Sequence, residues 1–461
     1  MGPRNVDRES QTTRADLLDA GAKACSSASG PGAGVRVRVS RAIVWAAASK
    51  GACEAARYAR IFVLARILSP EDFGVFGIAL LVLGVLEAFT EPGLHTALVQ
   101  RAGSVARYLD SVFVACAARG FTLALILWIC APFGARFWDV SQATAVIRST
   151  SLVLILRAVA NPAATILLRE LDFRTVFFWN LLEALTSLAA ALALGLSGFG
   201  IWALAGSLVA GEAARTGLSY AVRPWRPRFR VNWADLRALA RFGRWVMATN
   251  AAIFIGLQLD GALVAKMISV LALGHYQMAQ RLAALPRATV VAVLNQVALP
   301  ALSAVQGDPR WLRRLVTALW LGSLAAAGVP AAAMVIFARP LVTLALGAAW
   351  EPAAPLLAIV SIAQLLRSLA VIPSSYFYAV GRPWVTLSMN LARAAGLTVV
   401  LWPLVSAYDA AGAAWASVVG SAALTAAWMV PLVTGGRPRF RGATLAPEAR
   451  PGPEDASEPG G

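Results

Sequence analysis

Apolar residues dominate this chain from about residue 41 to residue 433, broken by short polar interruptions rather than by regular alternation. A run of about 20 apolar residues crosses a bilayer as a helix. Breaks at Gly, Pro and charge clusters divide the chain into about twelve such spans: 42–67, 72–94, 109–134, 144–167, 173–196, 199–221, 243–267, 271–302, 313–338, 353–379, 383–406 and 410–433. Pro286 and Pro300 predict a kink in the long eighth span. Residues 339–350 predict a short helix at the membrane surface. The expected fold class is an all-α integral membrane protein.

Loop charge tests this division. With a cytoplasmic N-terminus, the inside loops carry Arg101, Arg107, Arg169, Arg174, Arg223, Arg226, Arg228, Arg230, Arg310 and Arg382 among others. The outside loops carry Arg136 and Arg339, with Arg66 and Lys266 at their edges. That asymmetry obeys the positive-inside rule and places both termini in the cytoplasm. Tryptophans at 138, 202, 225, 245, 311, 350 and 384 fall near span ends, as an aromatic belt requires.

Composition agrees. The chain has 461 residues, 58% hydrophobic and 14% charged, with a mean hydropathy of +0.66; soluble domains carry about 25% charged residues. The net charge of +17 alone would fit nucleic acid, but here the excess belongs on inside loops facing anionic lipid headgroups. Membrane lipids are expected partners and nucleic acid is not. Arginine-rich, lysine-poor, alanine-rich usage suggests a GC-rich bacterial genome, and hence a bacterial cell membrane. Cys25, Cys53, Cys116 and Cys130 form no CxxC pair and no metal spacing with His95 or His275, so no metal site or disulfide framework is expected. Residues 1–40 and 434–461 are polar and rich in Gly, Ser or Pro, and are expected to be disordered cytoplasmic tails.

Two halves are legible. "ARILSPEDFGVFGIA" from Ala65 and "AKMISVLALGHYQMA" from Ala265 stand 200 residues apart, with Ala65, Ser69, Gly74 and Ala79 identical to their counterparts. An even number of spans separates the copies, so the halves share one orientation, a known transporter plan. Residues 41–222 are the expected N-lobe, 223–242 a basic cytoplasmic linker and 243–433 the C-lobe. From Trp233 the linker repeats at helical spacing, fitting either a basic interfacial helix or a plain charged connection.

The first span carries charge where lipid would exclude it. Lys50, Glu54 and Arg57 share one helical stripe, flanked by Arg60. A charge facing hydrocarbon costs at least about 2.5–3.5 kcal/mol, so this stripe must face a wet interior. Further ionisable residues lie inside later spans: Arg119, Arg157, Glu183, Glu212, Arg215, Asp260, Arg281, Arg287, Arg367 and Arg393. Cations outnumber anions, and a positive hydrated cavity suits an anionic solute. The candidate substrate-binding residues are Lys50, Glu54, Arg57, Arg60, Asp260, Arg281, Arg367 and Arg393. Bland alternatives are intrahelical pairs (Lys50–Glu54, Glu212–Arg215) and snorkelling of Arg66 and Lys266. Asp260 lies 200 residues after Arg60, so the two are expected to pair across the cavity, the alternative being a partner of Asp260 within its own lobe. No Walker A or other enzyme motif occurs; no catalytic residue and no cofactor are expected.

The segment "LARILSPEDFGVFGIALLVLGVLEAFTEPGLHTALVQR", residues 64–101, resembles the N-terminal signature of Wzx-type polysaccharide flippases in the multidrug/oligosaccharidyl-lipid/polysaccharide (MOP) exporter superfamily. "LLRELDFRT", "GFGIWALAGSLVAG", "LDGALVAKMISVLALGHYQMAQRLAALP", "LGAAW" and "AVGRP" resemble the same family in order. The resemblance implies two six-helix lobes around a central cavity working by alternating access. It further implies a polyprenyl-diphosphate-linked glycan as cargo, carried to the outer leaflet, with a polysaccharide polymerase and other assembly proteins as partners. A lipid II flippase, a drug/cation antiporter of the same superfamily, and an integral-membrane polymerase or ligase remain alternatives.

Overall fold

The structure, a computed structural model, describes residues 33–90, 106–170, 172–223, 225–228, 231–288, 298, 302, 309–379 and 383–433. Helix accounts for nearly all of it, and no strand occurs among the described residues. The helices are α1 (Ala33–Ile67), α2 (Pro70–Thr90), α3 (Ala106–Phe137), α4 (Ala143–Ala158), α5 (Phe173–Leu196), α6 (Trp202–Val222), α7 (Trp233–Met267), α8 (Val270–Ala283), α9 (Pro309–Ile336), α10 (Ala338–Leu346), α11 (Ala353–Leu369), α12 (Val371–Ala379) and α13 (Pro383–Val433). α13 is two arms broken at Asp409, whose φ of 52° and ψ of −136° are not helical. Six described stretches are long and apolar enough to cross a membrane, including Pro70–Thr90, Tyr108–Phe137 and Ala353–Phe377. Their outer faces are apolar: Phe121, Leu125, Trp128, Ile129 and Phe133 of α3 are all exposed, as lipid-facing residues should be.

The spans sit close to where hydropathy places them, with three differences. α1 begins at Ala33, so residues 33–40 are helical, while the remainder of the expected tails (1–32 and 434–461) lies outside the described residues, as do His95 and Pro300. The expected 144–167 span stops at Ala158, because Pro162 cannot continue a helix. Asn161 caps the short 3-10 turn that follows: its side chain accepts from Ala163 N at 2.9 Å and donates to Ser219 O and Arg223 O at 3.1 and 2.7 Å. The basic segment from Trp233 is neither a separate interfacial helix nor an irregular link; it is the first part of α7, continuous to Met267.

α1 to α6 pack on one another, through α1 on α5, α5 on α6, and α4 on α2, α3 and α6. α7, α8, α9, α11 with its short continuation α12, and the two arms of α13 form a second bundle of the same kind. These are the two six-helix lobes. They meet through α2 against α7 and α8, and through α1 against α10. The two helices that face each other there, α2 and α8, each begin with a serine cap. Ser69 Oγ accepts from Asp72 N at 3.2 Å while Asp72 Oδ2 accepts from Ser69 N at 3.0 Å, a reciprocal capping box with Pro70 at the first helical position. Ser269 Oγ accepts from Ala272 N at 3.1 Å.

The Ser69 end of the seam is sealed by contacts that mirror each other. Trp350 is fully buried, donates Nε1 to Ala65 O at 2.7 Å, and stands edge-on to Phe73 and His275, one from each lobe. Trp138 donates Nε1 to Ala262 O at 3.4 Å. Lys266 pairs with Asp139 at 3.0 Å, and Arg66 donates to the Leu344 and Ala345 carbonyls at the C-terminus of α10. Arg66 and Lys266 therefore bridge the lobes and do not merely snorkel.

Candidate functional site

Charge inside the N-lobe surrounds a cavity of about 200 Å³. Arg57 and Arg60 reach it from α1, Arg157 from α4, Glu183 and Ser187 from α5, and Glu212 and Arg215 from α6. Helical spacing explains the arrangement: Glu183 and Ser187 are one turn apart and meet Arg57 and Arg60, also one turn apart. Arg57 bridges Glu54 Oε1 at 3.2 Å and Glu183 Oε2 at 3.3 Å. Arg60 donates Nη1 to Ser187 Oγ at 2.5 Å, and Ser187 donates its own proton to Ser207 O at 2.8 Å.

Arg157 forms the second half of this cluster. Its Nη1 donates to both oxygens of Glu87, at 2.7 and 2.9 Å, and its Nε and Nη2 donate to Glu212 Oε1 at 2.9 and 2.5 Å. Glu212 therefore pairs with Arg157 rather than with Arg215, whose guanidinium lies over the Trp179 ring at 5.5 Å. Glu87 is not among the residues that charge patterning singles out, although a carboxylate inside the 72–94 span is the signal that could have found it.

The C-lobe holds a different arrangement. Asp260 is 1% exposed, and Oδ2 accepts from Ser417 Oγ at 2.7 Å, Tyr276 OH at 2.8 Å and Gln280 Nε2 at 3.2 Å. Gly261 N donates to Oδ1 at 2.8 Å. Gln280 passes the network to Gln364 at 3.2 Å, and Gln364 Oε1 accepts from Arg287 Nε at 3.2 Å. Arg367 donates to Ser421 at 3.2 Å and to Ser417 at 3.5 Å, while Arg393 is buried beside them. The pairing expected between Arg60 and Asp260 is not formed. Each side chain is hydrogen-bonded within its own lobe instead, Arg60 to Ser187 and Asp260 to Ser417, Tyr276 and Gln280.

At the seam itself Tyr58 of α1 donates its hydroxyl to the Arg281 carbonyl of α8 at 3.2 Å. Arg60 and Arg281 lie on the two helices that this bond joins, and neither forms an ion pair with a carboxylate among the described residues. Lys50, lower on α1, is exposed. Of the eight candidate residues, Glu54, Arg57 and Arg60 thus lie together in the N-lobe, Asp260, Arg367 and Arg393 in the C-lobe, and Arg281 joins the two. No group of acidic, His or Cys side chains suited to a metal occurs among the described residues.

Residues 63–355, more than half of the chain, match the family described as polysaccharide biosynthesis protein. The chain belongs to that family. This member is 27% identical over 395 residues to the succinoglycan biosynthesis transport protein ExoT of Rhizobium meliloti (strain 1021), covering 85% of this chain and 77% of ExoT. It is 21% identical over 338 residues to the lipopolysaccharide biosynthesis protein WzxC of Escherichia coli (strain K12), covering 72% and 68% of the two chains. Its fold is that of the MOP superfamily. An inward-facing multidrug resistance MATE family transporter superposes with a TM-score of 0.70 at 13% identity, covering 82% of this chain and 93% of the other. The lipid II flippase MurJ in an inward closed conformation gives 0.69 at 12% identity, covering 83% and 87%. The resemblance read from residues 64–101 is borne out, and with it the two-lobed architecture.

Proposed function

We propose that this family member is a flippase that carries a polyprenyl-diphosphate-linked oligosaccharide from the cytoplasmic to the outer leaflet of the bacterial cell membrane. The carrying observation is the pair Arg60 and Arg281: two half-buried arginines from opposite lobes, Arg60 held by Ser187 and Arg281 at the point where Tyr58 of α1 meets α8, neither in an ion pair with a carboxylate among the described residues. A diphosphate suits such a pair, since guanidinium donors match phosphate oxygens in pairs. Lys50, Glu54 and Arg57 continue that polar path along α1, while the isoprenoid tail stays in lipid.

The lobes, residues 41–222 and 243–433, rock about the α2–α8 contact, and residues 223–242 connect them on the cytoplasmic side with both termini. In this reading the sealed Ser69 end faces outside, and the cargo enters from the cytoplasm. A polymerase and other assembly proteins then receive the glycan. The work is translocation, with no bond made or broken by this chain. A drug/cation antiporter is less well supported, because Glu54, Glu87, Glu183 and Glu212 are each already neutralised by an arginine.

The test is lipid-linked oligosaccharide in a deletion strain. Cytoplasm-facing intermediate should accumulate, and Arg60→Ala or Arg281→Ala should reproduce this at normal membrane abundance. Accumulation of lipid II instead would assign the cargo to the peptidoglycan branch. Normal export in both variants would overturn the reading.

A further inference from the structure

The C-lobe interior carries an unbalanced charge set. Arg287, Arg367 and Arg393 act on one another as like charges, and none forms an ion pair among the described residues. The nearby carboxylate, Asp260, already takes three donors on Oδ2 and one on Oδ1. The N-lobe differs in that Arg57 and Arg157 are each held by two glutamates.

Arg393 is the exceptional member. It is only 8% exposed, and its Nε and Nη2 are buried with no hydrogen-bond partner among the described residues. Those two N–H groups lie on the same edge of the guanidinium plane. They form a side-on fork whose spacing suits two oxygens of one carboxylate or phosphate. The side chain runs between glycines: a Cβ on Gly256 of α7 would lie 3.4 Å from Nη1, and one on Gly420 of α13 would lie 3.9 Å from Cγ. Buried donors without an acceptor are costly, and like-charged neighbours add to that cost. An oxyanion relieves both at once.

We propose that the C-lobe interior is an oxyanion-binding site in which the Nε/Nη2 edge of Arg393 receives two oxygens of one phosphate or carboxylate group, with Arg367 and Arg287 supplying the surrounding positive field. A free-ion source is independent of the proposed cargo, whereas a glycan source rests on that reading. The anion can be a free ion from solution or an acidic group borne by a glycan, and the two sources are separable.

The experiment uses the full chain in phosphatidylcholine nanodiscs, titrated calorimetrically with inorganic phosphate, with glucuronate and with glucose. At least one of the two anions should bind saturably and raise the melting temperature, and glucose should do neither. Binding of phosphate identifies a free-ion site; binding of glucuronate alone identifies a sugar-acid site. Arg393→Lys keeps the charge but loses the fork, and should weaken binding about tenfold or more. Arg393→Met should abolish it while raising the melting temperature in the absence of anion. If neither anion binds or stabilises the unmodified protein, or if both variants bind as tightly as it does, the proposal fails.

Discussion

Gly74 and Gly274 make reciprocal contacts across the lobe seam: a Cβ on Gly74 would strike the Val270 carbonyl, and a Cβ on Gly274 would strike the Pro70 carbonyl. The two glycines stand 200 residues apart, as do Pro70 and Val270, so the same position of each lobe meets its counterpart. Such an isologous contact is what a two-fold axis between the lobes requires. Any side chain here forces α2 and α8 apart.

Gly74→Val and Gly274→Val should therefore open the Ser69 end, each to a similar extent. Spin labels at Glu71→Cys and Leu271→Cys, in a chain otherwise free of cysteine, report the separation. Overpacking of this kind costs roughly 1–3 kcal/mol, enough to shift a two-state equilibrium visibly. An unchanged distance in both variants would contradict the placement of this contact.

Two seals at the same end should differ in weight. Trp350→Ala removes a fully buried indole wedged between Phe73 and His275, and should cost about 3–5 kcal/mol. Lys266→Ala breaks an ion pair whose Asp139 side is 83% exposed, and should cost less than about 1 kcal/mol. Thermal melting in detergent ranks them, and equal losses would be unexpected.

Arg157→Ala strands Glu87 and Glu212 together inside the N-lobe. The penalty should be roughly 2–3 kcal/mol, below that of a fully buried pair because Arg157 is 41% exposed. Adding Glu87→Gln and Glu212→Gln should recover stability, since the uncompensated charges are then gone. Membrane abundance and melting temperature check this together.

Asp260→Asn and Tyr276→Phe should each impair the protein, whereas exchanging Arg60→Asp with Asp260→Arg should do no better than the single changes. The reason is geometric: Asp260 Oδ2 is held by Tyr276 and Ser417, and Arg60 by Ser187. Recovery of export in the exchange would show that a cross-lobe pair forms in another state of the transport cycle.

Reporter fusions after Arg228 and Arg382 should read as cytoplasmic, and fusions near Ser69 and Tyr408 as external. Opposite signals at either pair would invert the direction of transport proposed above.

Span positions were legible in the sequence because hydropathy is local: about 20 apolar residues must be helix in lipid wherever the rest of the chain lies. The 200-residue repeat that carries Ser69 and Ser269 was legible for the same reason. The stripe of Lys50, Glu54, Arg57 and Arg60 also declared, from spacing alone, that α1 turns a charged face inward. Which groups answer those charges was decided only by tertiary structure. Arg57 meets Glu183 from 126 residues away, Arg157 meets Glu87 from 70, and Asp260 meets Ser417 from 157. Periodicity fixes the face on which a residue lies but not the rotation of a helix against its neighbours, and in a bilayer that rotation is set by close packing between helices. The repeat matched Arg60 with Asp260 as equivalent positions, yet equivalence about a two-fold axis places residues at equal depth without making them touch. Packing within each lobe gave each its own partners, and left the Nε and Nη2 of Arg393 buried without one among the described residues.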